Sequence, residues 1–322
     1  MYAMASDVLG PDYTAQTLQL KSDDEGEAVA TLVSHAANAP TRRAVLYVHG
    51  FVDYFFQTHL ADAWAARGYD FYAIDLRKYG RSLLPHQTPN YCTDLRIYSE
   101  ELDTATRIIR EEDGHDDLVV LGHSTGGLIT SLWAHDRRGQ GLIDALVLNS
   151  PWFDLNASWF SRVVLTRVID VIGTTFPQLR VGSLSSHYGR SIHVGADGAW
   201  SYNVAWKPYE GFPILAGWIR AIRRSQAELA RGLAIDCPVL VCCSARSGPA
   251  RRWSPRLKDA DCVLNVEHMV RRAPLLGPDV TLSQIPGGIH DLALSSPTAR
   301  STYLDTILRW TDAHIAGIGL GS

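Results

Sequence analysis

The sequence predicts an α/β protein: a mostly parallel central sheet with helices on both faces and a helical insertion. Three observations carry this. Strand-like and helix-like stretches alternate from residue 44 to residue 150. The rhythm stops after Pro151 and resumes at Pro238. Between one apolar run and one stretch of helical spacing stands Gly122-His123-Ser124-Thr125-Gly126, a turn flanked by the smallest residue. Alternation of this kind implies parallel strands joined by crossover helices.

The first dozen residues show no pattern and read as loose. Residues 14–21 and 27–36 alternate apolar and polar side chains around Asp23-Asp24-Glu25-Gly26, a hairpin signal. Residues 44–48 form a buried-strand run ending at His49-Gly50. A helix follows with Leu60, Trp64 and Ala65 on one face, stopped by Gly68. The next strand, 69–76, leads into Asp75-Leu76-Arg77-Lys78-Tyr79-Gly80-Arg81-Ser82. A long helix over about 94–112 precedes the strand 117–121, and 145–149 is a further strand.

Residues 1–151 are therefore the first part of the sheet domain. Residues 152–234 lack the alternation and hold five of the nine tryptophans (Trp152, Trp159, Trp200, Trp206, Trp218). Within them, 156–172 has the composition of an apolar helix and 182–198, rich in Gly and Ser, reads as loop. This insertion is expected to cap the strand ends. Residues 235–316 complete the sheet domain, with strands at 238–243 and 280–285 and helices near 263–272 and 297–313. The Gly-rich stretch 317–322 reads as a frayed tail.

A chain of 322 residues buries roughly three quarters of its unfolded surface, so no covalent staple is needed. Hydrophobic residues at 46% and charged residues at 20% suit a soluble globular enzyme. A net charge of −4 gives no general attraction to nucleic acid or anionic lipid. The pairs Arg223-Arg224, Arg251-Arg252 and Arg271-Arg272 read as solvated helix faces. No apolar run reaches the length of a membrane span. The five cysteines are odd in number and lack metal spacing, which suggests buried free thiols; no metal or cofactor is expected. The first residues carry neither a basic nor an apolar leader segment, so a cytoplasmic location is expected.

A G-x-S-x-G between strand and helix is the signature of a nucleophile elbow, which makes Ser124 the candidate nucleophile. A serine hydroxyl is weak near neutral pH and needs a base, itself oriented by a third group. In this architecture the order along the chain is Ser, acid, His. Among twelve histidines His290 fits best, because it follows the last strand in Pro286-Gly287-Gly288-Ile289-His290-Asp291. His123 is expected to pack under the elbow. The acid should follow the strand ending at Cys243, but Ser244-Ala245-Arg246-Ser247-Gly248 contains no carboxylate. Asp261, directly before an apolar run, is preferred; Asp259 and Asp154 remain alternatives, and helix capping explains Asp259 or Asp261 equally well. An acyl-transfer intermediate needs two backbone N–H groups aimed at its oxyanion. Thr125 and Phe51 are expected to supply them. Tyr54, Phe55, Trp152 and Trp159 are the expected substrate-binding residues.

Tyr47-Val48-His49-Gly50, Asp75-Leu76-Arg77 with Tyr79-Gly80-Arg81-Ser82, Gly122-His123-Ser124-Thr125-Gly126-Gly127 and Gly288-Ile289-His290-Asp291 together resemble the α/β-hydrolases. The resemblance is to capped serine hydrolases similar to monoacylglycerol lipases and lysophospholipases, which are related to some serine aminopeptidases, and it covers about 27–314. It implies the α/β-hydrolase fold, hydrolysis of a small-molecule ester through an acyl-enzyme, and the roles given above for Ser124, His290, Phe51 and Thr125. Amide cleavage by the same triad, or ligand binding without catalysis, are the alternatives. The chain departs from the relatives at the acid. They commonly carry Asp in a short Gly- and Asp-containing loop; here Ala245 and Ser247 stand there and 248–257 extends the loop, while Asp261-Cys262-Val263 resembles the relatives' acid and helix start.

Overall fold

The computed structural model describes residues 4–155, 170–249 and 252–315. Nine strands form one sheet in the order β1-β2-β3-β5-β4-β6-β7-β10-β11. These are β1 (Met4–Asp7), β2 (Gly10–Asp23), β3 (Gly26–His35), β4 (Arg43–Val48), β5 (Asp70–Asp75), β6 (Asp117–His123), β7 (Ala145–Asn149), β10 (Val239–Ser244) and β11 (Val280–Ile285). From β5 to β11 all neighbours are parallel; β1, β2 and β3 extend the sheet antiparallel at one edge. The expected strands and hairpin are therefore present. The expectation of loose N-terminal residues is corrected: Met4–Asp7 pairs with β2, and Asp7 forms an ion pair with Arg81.

The continuous apolar runs of the central strands reflect burial on both faces. Leu46, Val48, Val120, Leu146, Leu148 and Val241 pack on one side with α2 (Ser99–Arg107), α3 (Thr125–Asp136) and α5 (Ala216–Leu229). Val45, Tyr47, Val119, Leu121, Val147 and Leu240 pack on the other with α1 (Thr58–Ala65) and α7 (Pro297–Ile315), through Trp64, Tyr303 and Ile307. The period-2 alternation of Val45/Leu46/Tyr47/Val48 between the two clusters is the pleat itself. The long helix expected before β6 is a 3₁₀ turn (Leu95–Tyr98), α2 and a π-turn (Ile108–Glu112) in succession.

Between β7 and β10 the chain forms a small antiparallel pair, β8 (Arg180–Gly182) with β9 (Ile214–Leu215), then α4 (Ser186–Ile192) and α5. The loop expected at 182–198 thus contains a helix, whose N-terminus the Ser185 hydroxyl caps by accepting the His187 N–H. The helix expected at 156–172, and Trp159 with it, falls outside the described residues up to 169. The segment shares its core with the sheet: Trp218, Ile222 and Leu229 of α5 belong to the main apolar cluster. A second contact forms where Ile192 and Tyr202 pack on Tyr54, Phe56, Ile289 and Leu294. The helix expected at 263–272 begins later, as α6 (Val266–Arg272), because residues 263 and 264 are held by a side chain of the site. The five cysteines are buried and free. Among the described residues no helix is long and apolar enough to cross a membrane.

Candidate active site

Backbone strain marks the carboxyl ends of the parallel strands. Val52, Ser124 and Ser150 are non-glycine residues with positive φ, at 51°, 53° and 47°. Such conformations cost of order 1–3 kcal/mol each and persist only where the surroundings enforce them. At Ser124 the enforcement is visible. Its N–H donates to the Asn149 carbonyl at 3.0 Å, and its carbonyl accepts N–H groups from Gly127 and Trp152, both at 3.0 Å. The flanking glycines are steric requirements. A Cβ at Gly126 would strike the Val48 and His49 carbonyls, and one at Gly122 would strike Thr130 and the Gly126 carbonyl. The turn between β6 and α3 is therefore tight enough to lift the serine side chain off the sheet.

The Ser124 Oγ lies 3.0 Å from His290 Nε2. His290 stands in the loop after β11, which the Ser295 hydroxyl braces by accepting the Ile289 N–H at 3.0 Å. Its Nδ1 lies 3.0 Å from Asp261 Oδ2. The other oxygen of Asp261 accepts N–H groups from Val263 and Leu264, both at 2.8 Å. Asp261 is fully buried and His290 nearly so. The extended loop after β10 folds back to bring the carboxylate here. The Asp261 N–H donates to the Arg246 carbonyl at 3.0 Å, and the Gly248 N–H to the Asp261 carbonyl at 2.7 Å. The two alternatives point elsewhere. Asp259 pairs with Arg246 at the surface, and Asp154 lies between Arg223 and Arg272.

Phe51, in the loop after β4, and Thr125, the first residue of α3, line the same cavity as Ser124, and among the described residues neither N–H donates to a protein acceptor. The Phe51 loop is fixed from below. Val52 N–H donates to Asn90 Oδ1 at 3.2 Å, and Asn90 Nδ2 donates to the Lys78 carbonyl at 3.0 Å. Lys78 is buried between Asp23 and Glu25.

Beside Ser124, His290 and Asp261 lies a second buried polar group that the sequence reading did not find. Asp291 accepts from Asn149 at 2.8 Å and from Gln57 at 3.0 Å. Burial pushes its pKa up, but the neighbouring His123 and these hydrogen bonds outweigh it and hold the carboxyl below its ordinary range. His123 packs under the elbow as expected, with Nδ1 3.1 Å from the Asn149 carbonyl. Burial holds its pKa below the ordinary imidazole value. Asp53, His123 and Asp291 bring one potential metal-ligand atom each within 4.8 Å of one another. The Lys207 ammonium already sits on Asp53 at 2.7 Å, so this donor set is matched by a cation of the chain itself.

A cavity of about 330 Å³ opens above Ser124 and His290. Phe51, Trp152, Leu155, Leu184, Trp218, Ile219, Val263 and Leu264 make most of its wall; Asp53, Lys207, Ser183, Ser185 and Tyr209 make a polar side. Of the expected binding residues, Trp152 lines it. Tyr54 and Phe55 do not, which corrects that expectation. Phe55 is sealed in the core under the sheet, and the Tyr54 ring packs against Phe56 and Trp206 with its hydroxyl accepting the Asn203 N–H. Phe51, Val52 and Asp53 line the cavity and Phe55 does not, and in a loop with no regular period the aromatic run gave no sign of which residues meet it. Lys207 and Tyr188, which also line the cavity, were not singled out, because a turn and a seven-residue helix carry little periodic signal. Trp218 lies on α5, whose apolar residues Trp218, Ile219, Ile222 and Leu229 do recur at helical spacing, a signal the sequence reading overlooked.

A parallel sheet of this order, with a strained serine turn after one strand and an imidazole loop after the last, defines the α/β-hydrolase fold. The family model described as serine aminopeptidase, S33, matches residues 39–295, and the chain belongs to that family. Among solved structures, a soluble variant of monoglyceride lipase from Saccharomyces cerevisiae, in complex with a substrate analog, is similar at TM-score 0.69 and 17% identity, over 92% of this chain and 94% of that one. Paleococcus ferrophilus monoacylglycerol lipase is similar at 0.64 and 19%, over 88% and 98%. A highly thermostable carboxyl esterase from Bacillus coagulans is similar at 0.65 and 14%, over 94% and 99%. Among curated protein sequences none matches the chain.

Proposed function

We propose that the protein is a serine hydrolase that cleaves carboxylic esters bearing an apolar acyl or aromatic group, with Ser124 as nucleophile, His290 as general base and Asp261 as the acid of a triad. The observation that carries this reading is the pair of 3.0 Å contacts from Ser124 through His290 to Asp261, at the floor of a largely apolar cavity. Ser124 Oγ attacks the ester carbonyl while His290 Nε2 takes its proton. The negative oxygen is met by the Phe51 and Thr125 N–H groups. His290 then gives the proton to the departing alcohol. Next it deprotonates a water, which attacks the acyl-enzyme and releases the acid and Ser124. Asp261, held by two backbone N–H groups, keeps the imidazole proton on Nδ1 and stabilises the imidazolium that forms. In this reading the segment 152–234 is a cap, and its Leu155, Leu184, Trp218 and Ile219 favour an apolar group.

Amide or peptide cleavage is the second reading, favoured by the family description. An aminopeptidase needs a carboxylate for the substrate's ammonium. Asp53 is the one carboxylate among the described cavity-lining residues, and Lys207 already occupies it. Ester cleavage is therefore preferred. A fluorophosphonate probe should label the wild-type protein and not Ser124→Ala. p-Nitrophenyl esters of graded chain length should be turned over far faster than an aryl amide of the same acyl group. Absence of Ser124-dependent labelling in folded protein would leave a ligand-binding protein; faster amide turnover would select the second reading.

A further inference from the structure

The loop that carries the Phe51 amide is gripped by the cap at four consecutive residues. The Phe51 ring stacks on Trp218 of α5, with centroids 3.9 Å apart. The Val52 carbonyl and the Asp53 carboxylate both face the Lys207 ammonium, at 3.4 and 2.7 Å. The Tyr54 hydroxyl accepts the Asn203 N–H at 2.7 Å. Lys207 is tied to the same turn, since its own N–H donates to the Asn203 carbonyl at 3.0 Å. Asp53 is 2% exposed and the Lys207 side chain 12%, so the ion pair is largely withdrawn from water. It also sits one residue from the strained Val52, whose φ of 51° is unusual for a β-branched side chain.

A strained loop keeps its shape only while its surroundings over-determine it. The sheet side supplies one clamp through Asn90. Lys207 supplies the opposing one, and it comes from a different part of the chain. We propose that Lys207 is a positioning residue that couples the seating of the cap to the direction of the Phe51 N–H, acting through Asp53 and the Val52 carbonyl. The inference rests on the reading of Phe51 as an oxyanion donor. With the cap seated, the ammonium pulls Asp53 and the Val52 carbonyl to one side and holds the Phe51 amide toward the reacting oxygen. With the pair broken, Val52 relaxes and the amide turns away. The effect belongs to the transition state, where the oxyanion exists, rather than to substrate binding.

Lys207→Met tests this against wild type and against Lys258→Met. The latter removes a different link to the same segment, the Lys258 Nζ bond to the Asp197 carbonyl, and touches nothing in the loop. With a p-nitrophenyl ester, Lys207→Met is expected to lower kcat roughly 10- to 100-fold, short of the full loss of an oxyanion donor, with KM within about threefold of wild type. Affinity for an alkyl boronic acid, which forms a tetrahedral adduct on Ser124, should fall by the same factor as kcat. Affinity for a fatty alcohol of equal chain length should not fall. Lys207→Arg should recover most of kcat, and Lys258→Met should match wild type. If Lys207→Met does not fold, Asp53→Asn/Lys207→Met removes both buried charges together and is judged by the same readings. Wild-type kcat, a loss confined to KM, or an unchanged boronate affinity overturns the proposal while leaving the hydrolase reading intact. A wild-type protein that neither turns over esters nor labels at Ser124 overturns both.

Discussion

Asp261→Asn separates a catalytic carboxylate from a helix-start cap, because the structure dictates which way the new amide must face. Asp261 Oδ1 accepts the Val263 and Leu264 N–H groups, and Oδ2 faces His290 Nδ1. In the variant one of these atoms becomes an NH₂ donor. Turned toward 263 and 264, it would set donor against donor and leave two buried N–H groups unpaired, at about 1–3 kcal/mol each. The amide oxygen therefore stays on the backbone, favoured by about 2–6 kcal/mol, and the NH₂ points at His290 Nδ1. That nitrogen must then accept, which moves the imidazole proton to Nε2. His290 now offers Ser124 a donor instead of an acceptor, and the base is lost. Wrong-tautomer variants of this kind lose about 10⁴ in kcat, close to 5.5 kcal/mol of barrier. Stability should change little, since the cap hydrogen bonds survive. The assay is steady-state kcat on a p-nitrophenyl ester beside an unfolding curve. Asp259→Asn, at a surface ion pair with Arg246, should stay within about threefold of wild type. The reasoning is refuted if Asp261→Asn retains a tenth of wild-type kcat, or if Asp259→Asn loses as much.

Other expectations follow from the same geometry. Ser124→Gly removes both the hydroxyl and the positive-φ strain, so it should abolish turnover yet raise stability by about 1 kcal/mol once the added chain entropy is offset; a denaturant midpoint at or below that of Ser124→Ala would contradict this. Arg77 is sealed against Glu101 at 2.6 and 3.0 Å, with Glu100 at 2.8 Å. Arg77→Met leaves a buried carboxylate alone and should cost about 3–5 kcal/mol in urea unfolding, and a loss under 1 kcal/mol would show the pair to be dispensable. His49 must be neutral: Nε2 accepts the Leu76 N–H at 3.0 Å while Nδ1 donates to the Gly50 carbonyl at 2.8 Å. Burial lowers its pKa, with Asp75 opposing, and burial lowers that of His123 as well. Both therefore contribute stability that is complete above the unfolded value near 6.5 and is lost as pH falls below it, because the unfolded chain takes up protons that the native state refuses, at up to about 1.4 kcal/mol per pH unit for each histidine. Imidazole NMR should find His49 still neutral at pH 6, and a His49 titration near 6.5 in folded protein would contradict the assignment.

The sequence by itself determined the strand and helix order of the sheet, the strained serine turn and the histidine that meets it. Each is written locally: short continuous apolar runs, glycines on both sides of Ser124, and His290 in the exit loop of the last strand. Tertiary structure alone decided which carboxylate meets His290, the cavity wall and the contacts of the inserted segment. Asp261 reaches His290 because a stretch with no carboxylate at the expected place turns back and pairs 246–248 with residue 261. That pairing is between backbone groups, which carry no residue-type signature. Phe55 and Phe51 are both aromatic and four residues apart, yet one is core and the other cavity wall, since the direction of a loop side chain is set by what packs against it. The Asp53–Lys207 pair spans more than 150 positions, a separation at which no local pattern links the partners.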